Sequence, residues 1–445
     1  MYKMKLLSLQ LMKCQFLIGA PSSNSGKTTI TLGLLRLLKN KGYTVQPFKC
    51  GPDYLDPKFH TKAAQQPCIN LDTFMMSNAH MKTLFSKYNQ QSDVSIVEGV
   101  MGLFDGADKM KGSSAEIAMI LDLPVILVVN AKAMAYSAAP LIYGFKNFNP
   151  HLKVAGVIFN FVNTESHYRF LKDACADTGV EALGFLPQNE FLSIPSRHLG
   201  LSISGEYENS IQQAAEHIEK TVDIPRLLEI CTAPAKNDVH VPNENTVFTE
   251  KKLIIAIAKD EAFNFIYHEN INYLQQLGTI TYFSPLNDDR LPVADLLYLP
   301  GGYPELYLDK LSSNKEMIRS IFSFCKQDGK VIAECGGMMY LGKAIHNKEG
   351  KTFTMVDFLN VETSMQKSKL SLGYRSVLLD GKNIPGHEFH YSSLVEDSEN
   401  KSIAEVVNAK GVKVDTALFR KKNVIASYIH FYWGENANLL QLLFQ

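Results

Sequence analysis

The stretch Gly19–Thr29 contains the residues expected of a loop that binds a nucleoside triphosphate. An apolar run precedes it and leucines at helical spacing follow it, so the pattern predicts a strand, a small-residue loop and a helix N-terminus. Backbone N–H groups and the helix dipole bind phosphates in such a loop. Lys27 is predicted to reach the β and γ phosphate oxygens, and the Thr28 hydroxyl to ligate Mg²⁺. The predicted nucleotide-binding residues of the loop are Ser23, Gly26, Lys27, Thr28 and Thr29.

Cys335 is the second residue whose surroundings suggest chemistry. It follows the strand-like run Lys330–Ala333 after one residue and precedes two glycines. A sharp turn between a strand and a helix exposes a nucleophile at the helix N-terminus, which predicts a thiol of lowered pKa. His430 is the predicted base, and the backbone N–H groups of Gly301 and Gly302 are the predicted oxyanion donors. The alternative for Cys335 is a small buried core residue.

Other polar side chains lie at the ends of strand-like runs in the first half of the chain. Lys49 and Asp53 follow one run and are predicted to face the nucleotide. Glu98 ends another, and an acid in that position completes the Mg²⁺ shell in many phosphate-binding sites. Asn160 ends a further run, where its amide would contact the adenine edge or cap a helix.

The elements that position these residues predict an α/β protein of two domains. At 445 residues the chain is too long for one core. Apolar runs alternate with helical segments, which indicates parallel sheets covered on both faces. The predicted strands are Cys14–Ile18, Thr44–Lys49, Val94–Val97, Pro124–Asn130, Val154–Phe161, Glu181–Leu186, Leu253–Ala258, Thr279–Phe283, Leu296–Leu299 and Lys330–Ala333. The predicted organisation is an extension at 1–13, a first domain at 14–231, a linker at 232–251 and a second domain at 252–445.

Composition limits the kinds of partner that the chain is expected to bind and the cellular compartment in which it is expected to occur. Lys plus Arg and Asp plus Glu number 45 each, so no basic field for nucleic acid is expected. No apolar run has the length of a membrane span, and the N-terminal segment runs directly into the first strand, which argues against a cleaved signal peptide. Seven scattered cysteines without a Cys-x-x-Cys pair predict reduced thiols in the cytoplasm.

Taken together, the motifs resemble the cobyrinate a,c-diamide synthases, ATP-dependent glutamine amidotransferases of corrinoid synthesis. The resemblance covers nearly the whole chain, and the order of the motifs makes it specific. The segments that carry it are Ser22–Thr29, Lys49–Pro57, Asn70–Asp72, Val97–Gly106, Pro300–Glu305, Glu334–Gly337, Gly386–Ser392 and Ala426–His430.

The resemblance implies two sites on one chain. The N-terminal parallel-sheet domain would have the dethiobiotin synthetase type of P-loop fold, and the C-terminal α/β domain would be a class I glutamine amidotransferase. Thr28, Asp53 and Glu98 would hold Mg²⁺, while Lys27 and Lys49 would meet the phosphates and Asn160 the adenine. Cys335 would be the glutaminase nucleophile, made more nucleophilic by His430. The expected substrate contacts are Tyr54, Asp56 and Asp105.

By the same resemblance, the function would be amidation of the a and c carboxylates of cobyrinate in cobalamin biosynthesis. ATP would activate each carboxylate as an acyl phosphate, and L-glutamine would supply ammonia through a Cys335 thioester. The expected partners are these three small molecules and Mg²⁺, and neither nucleic acid nor a membrane is expected to be a partner. A homodimer is left open. Alternatives are a,c-diamidation of hydrogenobyrinate or nickel-sirohydrochlorin, and, less favoured, a cobyric acid synthase. From another class, the chain could be a P-loop switch ATPase with an inactive glutaminase-like module.

Two positions depart from related patterns. Most class I glutaminases have a Glu two residues after the catalytic His, whereas position 432 is Tyr. His430 must therefore be oriented by a residue that the motif does not identify. Ser22 occupies the place of the extra lysine of partitioning ATPases, which argues against that group.

Overall fold

The computed structural model describes residues 12–188, 205–234, 252–395 and 401–435, with Leu440, Leu443 and Phe444. The chain divides into two compact units, and its described residues up to Pro234 and from Lys252 onward form one unit each. The predicted extension before Met12 and the linker from residue 235 to 251 lie outside the described residues.

The first unit is built on a mainly parallel sheet with helices between the strands. Its strands are β1 Met12–Gly19, β2 Val45–Cys50, β3 Ile69–Leu71, β4 Val94–Glu98, β5 Val125–Asn130, β6 Val154–Asn160, β7 Glu181–Leu186 and β8 Thr232–Pro234. Its helices are α1 Lys27–Asn40, α2 Asp56–Ala64, α3 Asn78–Asn89, α4 Ser114–Leu121, α5 Ala138–Asn147, α6 Glu165–Thr178, α7 Gly205–Thr221 and α8 Ile224–Cys231.

The order of strands in this sheet is β3-β2-β4-β1-β5-β6-β7, all parallel. β1 lies between β4 and β5, and its residues Phe16–Ile18 are fully buried, as expected of a strand covered on both faces. The loops after β1, β2 and β4 therefore meet at one edge of the sheet, the carboxyl ends of the strands. The predicted phosphate-binding residues lie at this edge.

The boundaries of the first unit differ from the sequence prediction at both ends. Met12 and Lys13, predicted to be extension, belong to β1, and Thr232–Pro234, predicted to be linker, form β8. The two segments pair antiparallel, Met12 opposite Pro234 and Cys14 opposite Thr232. Because the contact with β5 begins only at Leu17, β8 supplies backbone partners for the start of β1. The polar composition around Pro234 concealed this strand.

The second unit contains a central sheet and two smaller additions, one mixed and one antiparallel. The central order is β10-β9-β11-β12-β21-β20, parallel except for the β20–β21 pair, and the additions are β14-β13-β15-β18 and β19-β16-β17-β22. The strands are β9 Leu253–Ala258, β10 Gly278–Phe283, β11 Leu296–Leu299, β12 Lys330–Glu334, β13 Ala344–His346, β14 Thr352–Thr354, β15 Glu362–Ser364, β16 Ser371–Leu379, β17 Lys382–His390, β18 Ser393–Leu394, β19 Glu405–Asn408, β20 Leu418–Lys421, β21 Val424–Ser427 and β22 Ile429–Phe431. The helices are α9 His268–Leu277, α10 Leu308–Ser313, α11 Lys315–Lys326 and α12 Gly336–Leu341, with a 3₁₀ turn at Pro304–Leu306.

Hydrophobic side chains fill both faces of this central sheet. One face packs Leu297, Val331 and Ala333 against the helices, and the other packs Tyr298 and Ile332 against Trp433 and the antiparallel strands. The ten predicted strands are present with small shifts at their ends, which confirms the predicted α/β class. The two added sheets were not predicted, and the antiparallel one, β19-β16-β17-β22, carries part of the second site.

Candidate active sites

The loop before α1 is shaped as a phosphate-binding turn. Gly26 adopts a left-handed conformation with φ of +92°, and a Cβ there would lie 1.9 Å from the amide nitrogen of Asn160. No side chain caps the N-terminus of α1. The first N–H groups of the helix are therefore left without a side-chain acceptor, the arrangement that suits an anion. The Ser25 hydroxyl donates to the Ser22 carbonyl at 2.9 Å and tightens the turn.

Glu98 is the centre of a buried polar cluster beside this loop. Its Oε1 accepts hydrogen bonds from the Thr28 hydroxyl at 2.7 Å and from Lys49 Nζ at 3.0 Å. Its Oε2 lies 2.6 Å from Nε2 of His60, on α2. Lys49 also pairs with Asp56 at 2.6 Å. The sequence predicted that Thr28, Lys49 and Glu98 lie at one site, and His60 was not predicted.

The charges of this cluster stabilise one another. Burial alone would raise the pKa of Glu98, but Lys49 and His60 hold it well below its usual value. Burial likewise disfavours the charged form of Lys49. The negative charges of Asp56 and Glu98 outweigh the effect of burial and raise the pKa of Lys49. Burial lowers the pKa of Lys27, whose Nζ donates to the Met101 carbonyl at 2.6 Å. Burial and the neighbouring Asp53 raise the pKa of Asp56 to about 6.

The oxygens of Thr28 and Glu98 fit the requirements of Mg²⁺. Both are hard donors, and they lie 2.7 Å apart beside the N-terminus of α1. Within the described part of the chain, no group of three or more His, Cys, Asp or Glu side chains could hold a metal ion. A site of two protein oxygens suits Mg²⁺, because this ion takes its other ligands from phosphates and water.

Several other predicted residues have structural contacts instead. Oδ1 of Asp53 accepts from the backbone N–H groups of Leu55 and Asp56, so it holds the turn before α2. The Asn160 amide donates to the Ser25 carbonyl at 3.1 Å and supports the phosphate loop. Asp105 is exposed and accepts from the Gly102 N–H at 3.0 Å, whereas Tyr54 is buried. Their roles toward Mg²⁺, adenine and substrate stay predictions.

Cys335 lies on the predicted turn between β12 and α12. Its backbone has φ of +46° and ψ of −106°, a strained conformation for a residue with a side chain. The backbone N–H of Cys335 donates to the Ser427 carbonyl at 2.7 Å, which fixes the turn against β21. The Cys335 thiol donates to the Phe389 carbonyl at 3.7 Å. β21 leads to β22, and β22 carries His430.

The two predicted oxyanion glycines lie against this turn. A Cβ on Gly301 would lie 2.1 Å from Cε1 of His430, so only glycine allows the imidazole to approach. A Cβ on Gly336 would lie 3.1 Å from the Gly302 nitrogen, which places that nitrogen next to the residue after Cys335. Among the described residues, the Gly302 N–H has no hydrogen-bond partner, so it can donate to a developing oxyanion.

Cys335 and His430 are uncharged at rest, which corrects one prediction. Cys335 is buried, and burial raises the pKa of its thiol well above the ordinary value, although the Gly336 N–H opposes the shift. The predicted lowering by the helix N-terminus is wrong, because desolvation outweighs one N–H group of a six-residue helix. Burial, with His387 and His390 nearby, lowers the pKa of His430 to about 3. Thiol and neutral imidazole are the forms expected at neutral pH.

A second buried network holds the strand that contacts the thiol. Glu388 on β17 accepts from Arg375 Nε at 2.5 Å, the Thr416 hydroxyl at 2.7 Å and His390 Nε2 at 2.6 Å. The His390 ring stacks on Tyr428 at 3.7 Å. These contacts fix the segment Gly386–Ser392, whose motif the sequence analysis recognised without assigning it a role.

Curated relatives match this chain from end to end. A protein of Caldanaerobacter subterraneus subsp. tengcongensis named cobyrinate a,c-diamide synthase is 40% identical over 431 residues, 93% of this chain and 94% of the relative. Proteins of the same name from Picrophilus torridus and Methanocaldococcus jannaschii are 40% and 39% identical over 95% and 93% of this chain, and over 96% and 94% of the relatives. The chain belongs to the cobyrinate a,c-diamide synthase family.

Domain models agree with this family assignment. Residues 16–201 match the CobQ/CobB/MinD/ParA nucleotide binding domain, and residues 254–438 match the CobB/CobQ-like glutamine amidotransferase domain. Membership confirms the predicted class of enzyme, a carbon–nitrogen ligase that uses glutamine as the amide donor.

Solved structures are more distant from this family member. A signal recognition particle 54 kDa protein of Aeropyrum pernix in complex with GDP is 18% identical over 39% of this chain and 41% of its own, with a TM-score of 0.30. A glutamine amidotransferase is 13% identical over 42% of this chain and 96% of its own, with the same TM-score of 0.30. None of the described helices is both long and apolar enough to cross a membrane.

Proposed function

We propose that this protein converts the a and c carboxylates of cobyrinate into amides, with ATP and glutamine as co-substrates. The relatives' shared name, at 40% identity over 93% of the chain, is the observation that carries the choice of substrate. The two kinds of site on one chain support the coupling of ATP use to glutamine hydrolysis. Hydrogenobyrinate and nickel-sirohydrochlorin are the competing substrates.

The first step activates a carboxylate, because oxide cannot leave when ammonia attacks. A carboxylate oxygen attacks the γ-phosphorus of ATP, ADP leaves, and an acyl phosphate forms. The phosphate loop and the first N–H groups of α1 hold the nucleotide, while Lys27 and Lys49 offset the charge that develops on the transferred phosphoryl group. Ammonia then attacks the acyl carbon, and phosphate leaves.

Thr28 and Glu98 would hold Mg²⁺ in this site. The bound ion supplies additional positive charge at the β and γ phosphate oxygens. His60 and Lys49 contact Glu98 and fix the position of its carboxylate. Such supporting contacts set how well a carboxylate ligates a metal.

The second site makes ammonia from glutamine. His430 takes the proton of Cys335, and the sulfur attacks the side-chain carbonyl carbon of glutamine. The Gly302 N–H stabilises the oxyanion, and the protonated imidazole gives its proton to the leaving nitrogen, which departs as ammonia. Water hydrolyses the thioester to glutamate and restores the thiol. Delivering this ammonia to the acyl phosphate without release avoids the ammonium that dominates in neutral solution.

Mass spectrometry of the products tests the choice of substrate. The protein is incubated with ATP, Mg²⁺, glutamine and one of cobyrinate, hydrogenobyrinate or nickel-sirohydrochlorin. Two amidations of cobyrinate, each lowering the mass by about 1 Da, are the expected result. If only another tetrapyrrole is diamidated, that tetrapyrrole is the substrate. If no tetrapyrrole is amidated and no glutaminase activity is found, a P-loop switch ATPase is favoured.

Cys335→Ser tests the coupling of the two sites. We expect glutamine-dependent amidation to be lost and ammonia-dependent amidation at high pH to be retained, because a hydroxyl is a much weaker nucleophile here. Cys325→Ser is a matched control, since Cys325 is another buried cysteine and has no role in the proposal. Loss of both activities in a folded Cys335→Ser protein would contradict two separate sites.

A further inference from the structure

Glu334 is a buried acid directly beside the proposed nucleophile. It ends β12 and is 1% exposed. Its Oε2 lies 3.9 Å from Nδ1 of His430 and accepts from the Tyr298 hydroxyl at 2.8 Å. Its Oε1 accepts from the Phe431 N–H at 3.2 Å. Three strands, β11, β12 and β22, therefore fix this carboxyl group at the histidine.

We propose that Glu334 is the positioning residue for His430 in the glutaminase reaction. The chain has Tyr at position 432, so the motif itself offers no acid for the histidine. A carboxylate on the Nδ1 side orients the ring and leaves Nε2 to take the thiol proton. The inference rests on the proposed function of Cys335 as nucleophile.

Charge compensation is the physical reason for this assignment. When the proton moves from Sγ to Nε2, the buried imidazole becomes a cation in a region of low dielectric. The Glu334 carboxylate is the anion that can compensate it. At 3.9 Å the present contact is an ion-pair distance, and a shift of about 1 Å would make it a hydrogen bond. Catalytic hydrogen bonds often tighten in this way when substrate binds.

Glu388, the buried acid whose charge raises the pKa of His430, is less suited to the role. Its oxygens already accept from Arg375, Thr416 and His390, so its charge is neutralised within its own network. Glu334 has no such cation among the described residues, and its hydrogen-bond donors, Tyr298 and a backbone N–H, are neutral. The imidazolium of His430 is therefore the cation that Glu334 can meet.

Burial raises the pKa of Glu334 to about 8, so the carboxyl group ionises near the working pH range. Other titratable groups act on Glu334 and the adjacent Cys335. Tyr298 on β11 donates to Glu334 and His430 on β22 lies beside it, while Glu305 in the 3₁₀ turn and Glu388 on β17 raise the pKa of the Cys335 thiol. Once it has lost its proton, Cys335 is the group among these that iodoacetamide alkylates most readily. A comparison of wild type with an uncharged variant at position 334 separates the titration of the thiol from that of Glu334.

Glu334→Gln removes the charge and keeps the shape. The amide oxygen can still accept from Phe431, and the amide nitrogen can donate to the Tyr298 oxygen, so a purely structural role predicts little change. A positioning role predicts a fall in glutaminase kcat on the order of 100-fold with KM within a factor of about 2. It also predicts that alkylation of Cys335 by iodoacetamide needs a higher pH, whereas a Glu334 charge that acted only on the adjacent thiol would, when removed, move alkylation to lower pH. Ammonia-dependent amidation should be unchanged.

Wild-type kcat and an alkylation profile that is unshifted or moved to lower pH in a folded Glu334→Gln protein would overturn the inference. If that variant does not fold, Tyr298→Phe supplies the test, because it removes one hydrogen bond to Glu334 and keeps the carboxyl group. That hydrogen bond lowers the pKa of Glu334, so its loss leaves less carboxylate at a given pH, and we expect alkylation to need a higher pH. A profile that is identical or moved to lower pH would again overturn the inference. A wild-type protein that makes no glutamate from glutamine would instead contradict the proposed function. Alkylation needs no glutamine, so it would still decide the role of Glu334.

Discussion

The cluster around Glu98 and the site around Cys335 are both buried, but they contain opposite arrangements of charge. Glu98 meets three proton-donating side chains, Thr28, Lys49 and His60, within 3.0 Å. Around Cys335, burial raises the pKa of the thiol and lowers that of His430 to about 3. One site is ionised before any ligand binds, whereas the other is neutral.

This difference in charge matches the charge of the substrate proposed for each site. ATP is a polyanion, so a site with fixed cations and a paired carboxylate already matches it. Glutamine has a neutral carboxamide, and charge at Cys335 is needed only while the thioester forms. A permanently ionised thiolate in a buried site would carry the full cost of desolvation. Keeping the thiol protonated at rest avoids that cost.

The largest expected effect comes from breaking the charged site. Lys27→Ala or Glu98→Gln should lower amidation by on the order of 1000-fold with either glutamine or ammonia, because phosphoryl transfer precedes both. Lys41→Ala, which removes only the exposed pair with Glu219, is the control. Rates with each nitrogen source, measured on proteins with matched thermal unfolding, check this. Near-normal amidation by Glu98→Gln would refute the metal assignment.

Gly301→Ala should break the neutral site alone. The added Cβ would lie 2.1 Å from the His430 ring and displace it. Glutamine-dependent amidation should fall about 100-fold, as expected for loss of a general base, while ammonia-dependent amidation is kept. Gly144→Ala is a matched control, because a Cβ there meets nothing within 4 Å. Equal losses with both nitrogen sources would mean that the change is not confined to the glutaminase.

His60→Asn should weaken the charged site by a smaller amount. It removes the 2.6 Å contact to Glu98 and leaves Thr28 and Lys49 in place. Loss of a supporting contact lowers metal affinity by about 10-fold. A titration of ATP binding against Mg²⁺ measures this, and His151→Asn, on an exposed histidine, is the control. An unchanged Mg²⁺ dependence would make His60 a packing residue.

The last prediction concerns stability rather than rate, at Glu388. Its pKa is about 2 against an ordinary 4.5, lowered by His390 and Arg375 in spite of burial. The ionised form therefore stabilises the fold above pH 4.5, and this contribution is lost as the pH falls toward 2. Glu388→Gln should lower the free energy of unfolding at pH 7 by up to about 3 kcal/mol, with the difference from wild type shrinking in acid. Glu405→Gln, at an exposed pair, should change it by under about 1 kcal/mol. A constant difference across pH would contradict the assignment.

The parallel strands and the turns at the two candidate sites were predictable because their signals are local. β1 and β5 are mainly apolar, the turn at Gly26 follows small residues and the turn at Cys335 precedes two glycines. The antiparallel sheet of β16 and β17 was not predictable, since its strands mix polar and apolar residues. His60 was missed for a related reason: it lies within a helix, and its partner Glu98 is 38 positions away. Glu334 lies within one of the recognised motifs, but its proposed role depends on His430. That histidine comes close to it only through the pairing of distant strands.

β8 has a practical consequence for anyone who wishes to express the first unit alone. The strand Thr232–Pro234 borders the opening residues of β1, so a fragment ending at Cys231 would expose three residues of unpaired backbone beside the strand that leads into the phosphate loop. Such an edge invites pairing with another molecule. A fragment that begins at Met12 should therefore extend past Pro234, and the shorter version is the one expected to aggregate during purification.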